Sequence, residues 1–230
     1  MQPILKTLAA YDRYGITHGY SLQYECQFLL EVNSMQSDAI ERKLTDENKR
    51  FLLSQAREAL NAAVRQETLP DVELDNLPEV LQTPLATFVT LTIGGALRGC
   101  IGGLEAQQPL VLDVREHAAA AGLNDYRFPP VTPAEIPAIH IEISILTPPQ
   151  AVYYDEPKEL ARKIRPGIDG VVLVQGLRRA TFLPQVWEKL PAVEDFLGHL
   201  CQKMGAARNY WLYEKLDAYT YQVISFEEDE

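Results

Sequence analysis

Between residues 139 and 145 apolar and polar side chains alternate without a break. Ile139, Ile141, Ile143 and Ile145 point one way, and His140, Glu142 and Ser144 point the other. That period predicts a strand with one face on a core and one face wet. A β-rich run from Thr87 to Ile93 precedes Gly94-Gly95, a pair whose tolerance of positive φ suits a two-residue type I′ turn. The return strand is expected from Ala96 to about Gly102. Val171 to Val174 and Ala180 to Leu183 predict a second pair turned near Gly176, and Tyr219 to Phe226 predicts a last strand.

Helical spacing marks other segments. Leu22, Cys26, Leu29 and Val32 suggest a short amphipathic helix in the tyrosine-rich start of the chain. Thr45 is suited to cap a helix whose first turn carries Asp46 and Glu47, and whose buried stripe is Leu52, Ala56, Ala59, Leu60 and Ala63. Pro109 fits the first position of a helix running to about Gly122, with Leu110, Val114, Ala118 and Ala121 inward. Phe196, Leu197, Leu200, Cys201 and Met204 line a helix stopped by Gly205. Thr68 to Pro84, with three prolines, reads as a crossing segment. Hairpins outnumber possible parallel crossovers, so the fold class is α+β with a mainly antiparallel sheet and flanking helices.

Composition narrows the function classes. The 230 residues carry a formal net charge of −11, which disfavours nucleic acid and anionic membrane surfaces as general partners. Arg162, Lys163, Arg165, Arg178 and Arg179 are a local basic exception, read as solvated surface. Cys26, Cys100 and Cys201 are odd in number and widely spaced. They form neither a disulfide framework nor a Cys-x-x-Cys zinc site. No secretory signal is read at the start and no apolar run reaches the ~18 residues of a membrane span. A reduced, cytoplasmic setting is the expectation. The glycines fit neither a dinucleotide fingerprint nor a phosphate loop, no metal-ligand spacing is present, and no cofactor is indicated.

The chemistry concentrates in the predicted hairpin. Regular alternation would put Arg98, Cys100 and Gly102 on one face of the return strand, with side chains two apart separated by roughly 7 Å. A guanidinium at that distance favours a thiolate. Cys100 is therefore a candidate catalytic nucleophile, with Arg98 as its activator or as a clamp for an anionic substrate. The competing reading makes Cys100 a small packed residue between glycines. Gly99, Gly102 and Gly103 either let a ligand approach the backbone or permit a bulge and close packing. Asp125 and Arg127 either bind a ligand or tie their loop down, with Phe128 as its anchor. Glu142 joins the candidate ligand-binding set. His140 and Ser144 are about 13 Å apart along a strand, too far for a triad with Glu142. His117, at the edge of its helix's apolar stripe, reads as packed or half-exposed, and His199 sits with Lys203 at a polar helix margin.

Leu97-Arg98-Gly99-Cys100-Ile101-Gly102 resembles the hallmark hexapeptide of the AMMECR-one domain family, whose bacterial branch is called AmmeMemoRadiSam system protein A. Phe88-Val89-Thr90-Leu91 precedes it as in the family. Asp125-x-Arg127-Phe128-x-Pro130, Ile141 to Leu146, Gly167-Ile168-Asp169-Gly170, Ala180 to Trp187 and Phe196 to Gly205 follow in order. On this resemblance residues 45–230 form an AMMECR-like domain and residues 1–44 an extension outside the match. The resemblance implies a two-lobed α+β domain with a cleft, and an association with a Memo-type dioxygenase-like protein and a radical-SAM protein. It implies no particular reaction. Three classes of function stay open: a substrate-binding or accessory component beside those proteins, an enzyme using Cys100 and Arg98 on a small anionic or carbonyl substrate, and an interaction domain associating through its N-terminal extension.

Overall fold

Thr45 caps a 20-residue helix, its side chain accepting the Asn48 N–H at 3.3 Å. The computed structural model describes residues 40–229, within a compact unit spanning residues 36–230. The helix expected around Leu22 to Val32 lies outside the described residues. Helix α1 (Asp46–Arg65) buries Leu52, Ala56, Ala59 and Leu60. Ala63 is only half-buried, and Ala62 and Val64 are buried instead. The proline-rich crossing holds a single 3-10 turn, Leu74–Asn76, and a short helix, α2 (Glu79–Gln82).

The glycine turn forms as its residues require: Gly94 and Gly95 have φ of +56° and +78°, between β1 (Ala86–Ile93) and β2 (Ala96–Gly102). Helix α3 (Leu110–Leu123) begins one residue after Pro109 and packs on α1, β1 and β2. With β3 (Ile139–Leu146) and β8 (Val223–Glu227) the hairpin makes an antiparallel sheet of order β2-β1-β3-β8. Val89, Leu91, Ile141, Ile143 and Ile145 form its core beneath α1 and α3.

The second sheet has the order β4-β7-β5-β6, from β4 (Gln150–Ala151), β5 (Gly170–Gln175), β6 (Arg178–Phe182) and β7 (Asp217–Tyr221). The short helix α4 (Leu160–Lys163) and helix α5 (Val193–Lys203) contribute to its separate core. There the Phe196 ring stacks on Trp187 with centroids 3.7 Å apart. Gly205, at φ +80°, ends α5: its N–H bonds the Gln202 carbonyl, and the Ala206 N–H bonds that of Cys201. This is a Schellman stop.

The last strand expected from Tyr219 to Phe226 is two strands. The chain leaves the second sheet at Tyr221 and enters the first at Val223. Gln222, at the crossing, exchanges two hydrogen bonds with Thr147, where the chain makes the reverse passage from β3 towards β4. A run rich in β-formers carries no mark of such a change of sheet. Between the sheets, Ala86, Leu146, Val172 and Tyr221 form a third, small core with Phe88 and Val223 against it.

The hairpin differs from regular alternation at one residue. Thr92 pairs with Leu97 and Leu91 with Gly99, so Arg98 has no partner on β1. This bulge shifts the side-chain phase by one. Leu97 and Cys100 face the same way, opposite Thr92 and Thr90, and the shared face expected for Arg98, Cys100 and Gly102 is broken at Arg98. Gly99 sits under α3, where a Cβ would lie 2.2 Å from the Ala121 carbonyl oxygen; at Gly102 it would lie 2.3 Å from that of Thr87. Gly103 has nothing nearer than 3.8 Å. Gly99→Ala is expected to cost about 1–3 kcal/mol because backbone must move, and Gly103→Ala about 0.5 kcal/mol or less, both read from denaturant unfolding.

Candidate functional site

The face of the first sheet turned away from α1 and α3 changes character along its length. The row Ala86, Leu146 and Val223 is apolar and lies in the small core between the sheets. The next row is Gly102, Phe88, Ser144 and Ser225; the one after it is Cys100, Thr90, Glu142 and Glu227. The last is Leu97, Thr92 and His140. Beyond the apolar row the face is mainly polar, with Phe88 and Leu97 as its apolar members.

Cys100 is partly exposed, and its sulfur accepts a hydrogen bond from the Thr90 hydroxyl at 3.4 Å. Glu142 accepts from Ser144 at 3.3 Å, Ser144 also bonds Ser225 at 3.0 Å, and His140 meets Glu227 at 3.2 Å. The sheet brings Cys100, Gly102 and Glu142 onto one surface, with Thr90 between Cys100 and Glu142.

Strand β2 is an edge, so its outward amides would stay unpaired without help. At Cys100 side chains supply that help. The Asp125 carboxylate, 5% exposed, accepts the Cys100 N–H at 2.9 Å, and Arg127 donates to the Cys100 carbonyl at 3.3 Å. The two loop residues are themselves joined: Arg127 donates through Nε at 2.8 Å and through its terminal nitrogen at 2.6 Å, and its backbone N–H adds a bond at 3.1 Å. The Arg127 guanidinium, aided by the Cys100 and Arg127 N–H groups, holds the Asp125 carboxyl far below the usual range against the opposing effect of burial. Asp125 in turn raises the Arg127 pKa. Tyr126, between them, is 94% exposed.

Arg98, at the bulge, is held elsewhere. Its Nε donates to Glu135 at 2.7 Å and a terminal nitrogen donates at 3.3 Å. Both Arg98 and Arg127 lie over the half-buried Phe128 ring, 6.0 and 5.6 Å from its centroid. Glu135 also accepts the Thr132 N–H and hydroxyl, each at 2.8 Å. Thr90 and Glu135 escaped the sequence reading: Thr90 is one of several threonines in its strand, and Glu135 is 37 residues from the arginine it binds.

Other candidates separate from this surface. Cys201 is buried in the second core, where burial pushes its thiol pKa up, and Cys26 lies outside the described residues. Within the basic group Arg165 pairs with Asp169 and Arg179 with Glu105. Among the described residues no cluster of three or more His, Cys, Asp or Glu could hold a metal, and no helix is long and apolar enough to cross a membrane.

The Arg98–Glu135 bond, then the Thr132 groups, lower the Glu135 pKa to about 2. A carboxyl depressed by folding stabilises fully above its unfolded value, and that contribution is lost as pH falls through the folded one. Acid unfolding of the protein is therefore expected to steepen between roughly pH 4.3 and about 2. Glu135→Gln should flatten that limb in stability measured against pH.

The AMMECR1 family profile matches residues 53–226. Protein MJ0810 of Methanocaldococcus jannaschii is 39% identical over 166 residues, 69% of this chain and 81% of that protein. Protein MK0488 of Methanopyrus kandleri is 36% identical over 196 residues, 82% of this chain and 92% of its own length. The crystal structure of the uncharacterized protein PH0010 from Pyrococcus horikoshii superposes with a TM-score of 0.73 at 34% identity, covering 81% of this chain and 94% of that one.

Proposed function

The chain belongs to the AMMECR1 family, and on that premise we propose that it is a substrate-binding or accessory component that takes its ligand on the polar face around Cys100. Its working partners in this reading are a Memo-type dioxygenase-like protein and a radical-SAM protein, and its setting is the cytoplasm.

One observation carries the preference for binding over catalysis: the charges beside the thiol are internally compensated. Arg98 is bonded to Glu135 and Arg127 to Asp125. A guanidinium already engaged by a carboxylate has little left with which to hold a thiolate or clamp an anionic substrate. The enzyme reading needs Arg98 to act on Cys100, and therefore to leave Glu135. Binding needs no such rearrangement. Cys100, Thr90 and Glu142 offer a row of polar groups on a rigid sheet, which in this reading serves as one wall of a cleft. Asp125 and Arg127 hold its edge, and Gly102, opposite Phe88, adds no side chain to that face. Rigid pre-placed groups lower the ordering cost of binding.

Native mass spectrometry of gently purified protein tests this reading: a bound metabolite is expected, and it should be lost from Glu142→Ala. Cys100 alkylation separates the enzyme reading. The rate in Arg98→Ala is expected to match the unsubstituted protein within about twofold, whereas a fall of about tenfold would restore Arg98 as an activator and contradict the assignment.

A further inference from the structure

On the helix side of the first sheet Asp113, Thr87 and His117 meet. Thr87 pairs with the fully buried Ile145 and so faces α3, opposite to the Cys100 surface. The Thr87 N–H and hydroxyl both donate to the same Asp113 oxygen, at 2.9 and 2.7 Å. His117 Nδ1 lies 3.1 Å from the Thr87 hydroxyl oxygen and 3.1 Å from that carboxylate oxygen. A threonine hydroxyl has one proton, and here it is given to Asp113. Nδ1 must then bring the proton to this contact, which in a neutral imidazole leaves the lone pair on Nε2.

That nitrogen faces a cavity. A Cβ on Gly103 would lie 3.9 Å from Nε2, and Gly103, Gln107, Gln108, Asp113, Glu116 and His117 are among the lining residues of a cavity of about 280 Å³. The volume suits a small metabolite. Its walls are rich in acceptors. The Gln108 amide nitrogen is spent on Glu116 at 2.5 Å and on Asp113 at 3.5 Å, which leaves the amide oxygen free to accept. Arg179 neutralises Glu105 at the rim. Glu116 has no cationic partner among the described residues.

We propose that this cavity is a ligand site in its own right, in which His117 Nε2, the Gln108 amide oxygen and Glu116 accept hydrogen bonds from a small ligand bearing an ammonium group. Asp113 and Thr87 are positioning residues: they fix the imidazole tautomer and the ring orientation. The site lies on the opposite face of the sheet from Cys100 and stands or falls independently of that surface.

Titration of 1,4-diaminobutane into ¹⁵N-labelled protein tests it. The backbone amides of Gly103 and Leu104 are expected to shift saturably, and succinate, similar in length and opposite in charge, should leave them in place. His117→Ala keeps both Thr87 bonds to Asp113 and should weaken binding about tenfold, the loss expected for one charge-assisted hydrogen bond. Glu116→Gln, on an exposed side chain, should weaken it similarly. The proposal is overturned by an absence of saturable shifts or by an equal response to succinate. Unchanged affinity in folded His117→Ala, or in Glu116→Gln should the first variant not fold, overturns it too.

Discussion

The buried carboxylate of Asp125 holds the edge of the first sheet. Strand β2 presents Cys100 with its amide pointing away from β1, and an open amide there would leave the strand free to fray or to pair with another chain. Asp125 accepts that N–H, and its partner Arg127 covers the carbonyl of the same residue. Two side chains thus take the place of a neighbouring strand. The arrangement works because Asp125 is ionised and bonded on both oxygens, so its burial is compensated.

From that fixed edge the sheet's own register does the rest. Rows across β2, β1, β3 and β8 pass from apolar beneath the second sheet to mainly polar beyond it. The covered end joins the two sheets, together with the Thr147–Gln222 exchange where two segments change sheets side by side. The open end exposes Cys100, Thr90 and Glu142. One surface therefore serves packing at one end and recognition at the other, and their separation follows from strand periodicity alone.

Much of this was legible in the chain. The Gly94-Gly95 turn, the alternation of Ile139 to Ile145 and the stop at Gly205 are local signals, each tied to a backbone or periodicity requirement that no distant contact overrides. What stayed hidden depends on partners far away in sequence. The bulge at Arg98 arises where Gly99 must fit under the Ala121 carbonyl, and strand periodicity has no way to register it. Arg98 finds Glu135 rather than Cys100 for the same reason. The division of the last strand at Gln222 rests on Thr147, 75 residues earlier. His117 read as packed or half-exposed, with no functional role, because the carboxylate four positions before it is informative only once Thr87 is beside both.

Hydrogen exchange at the Cys100 amide tests the central constraint most directly. With Asp125 as its acceptor this edge amide should be protected to a degree comparable with the ladder amides of β1, and Asp125→Asn should speed its exchange at least about tenfold while leaving β3 unchanged. Rapid exchange in the unsubstituted protein, or the same protection after the substitution, would contradict the account.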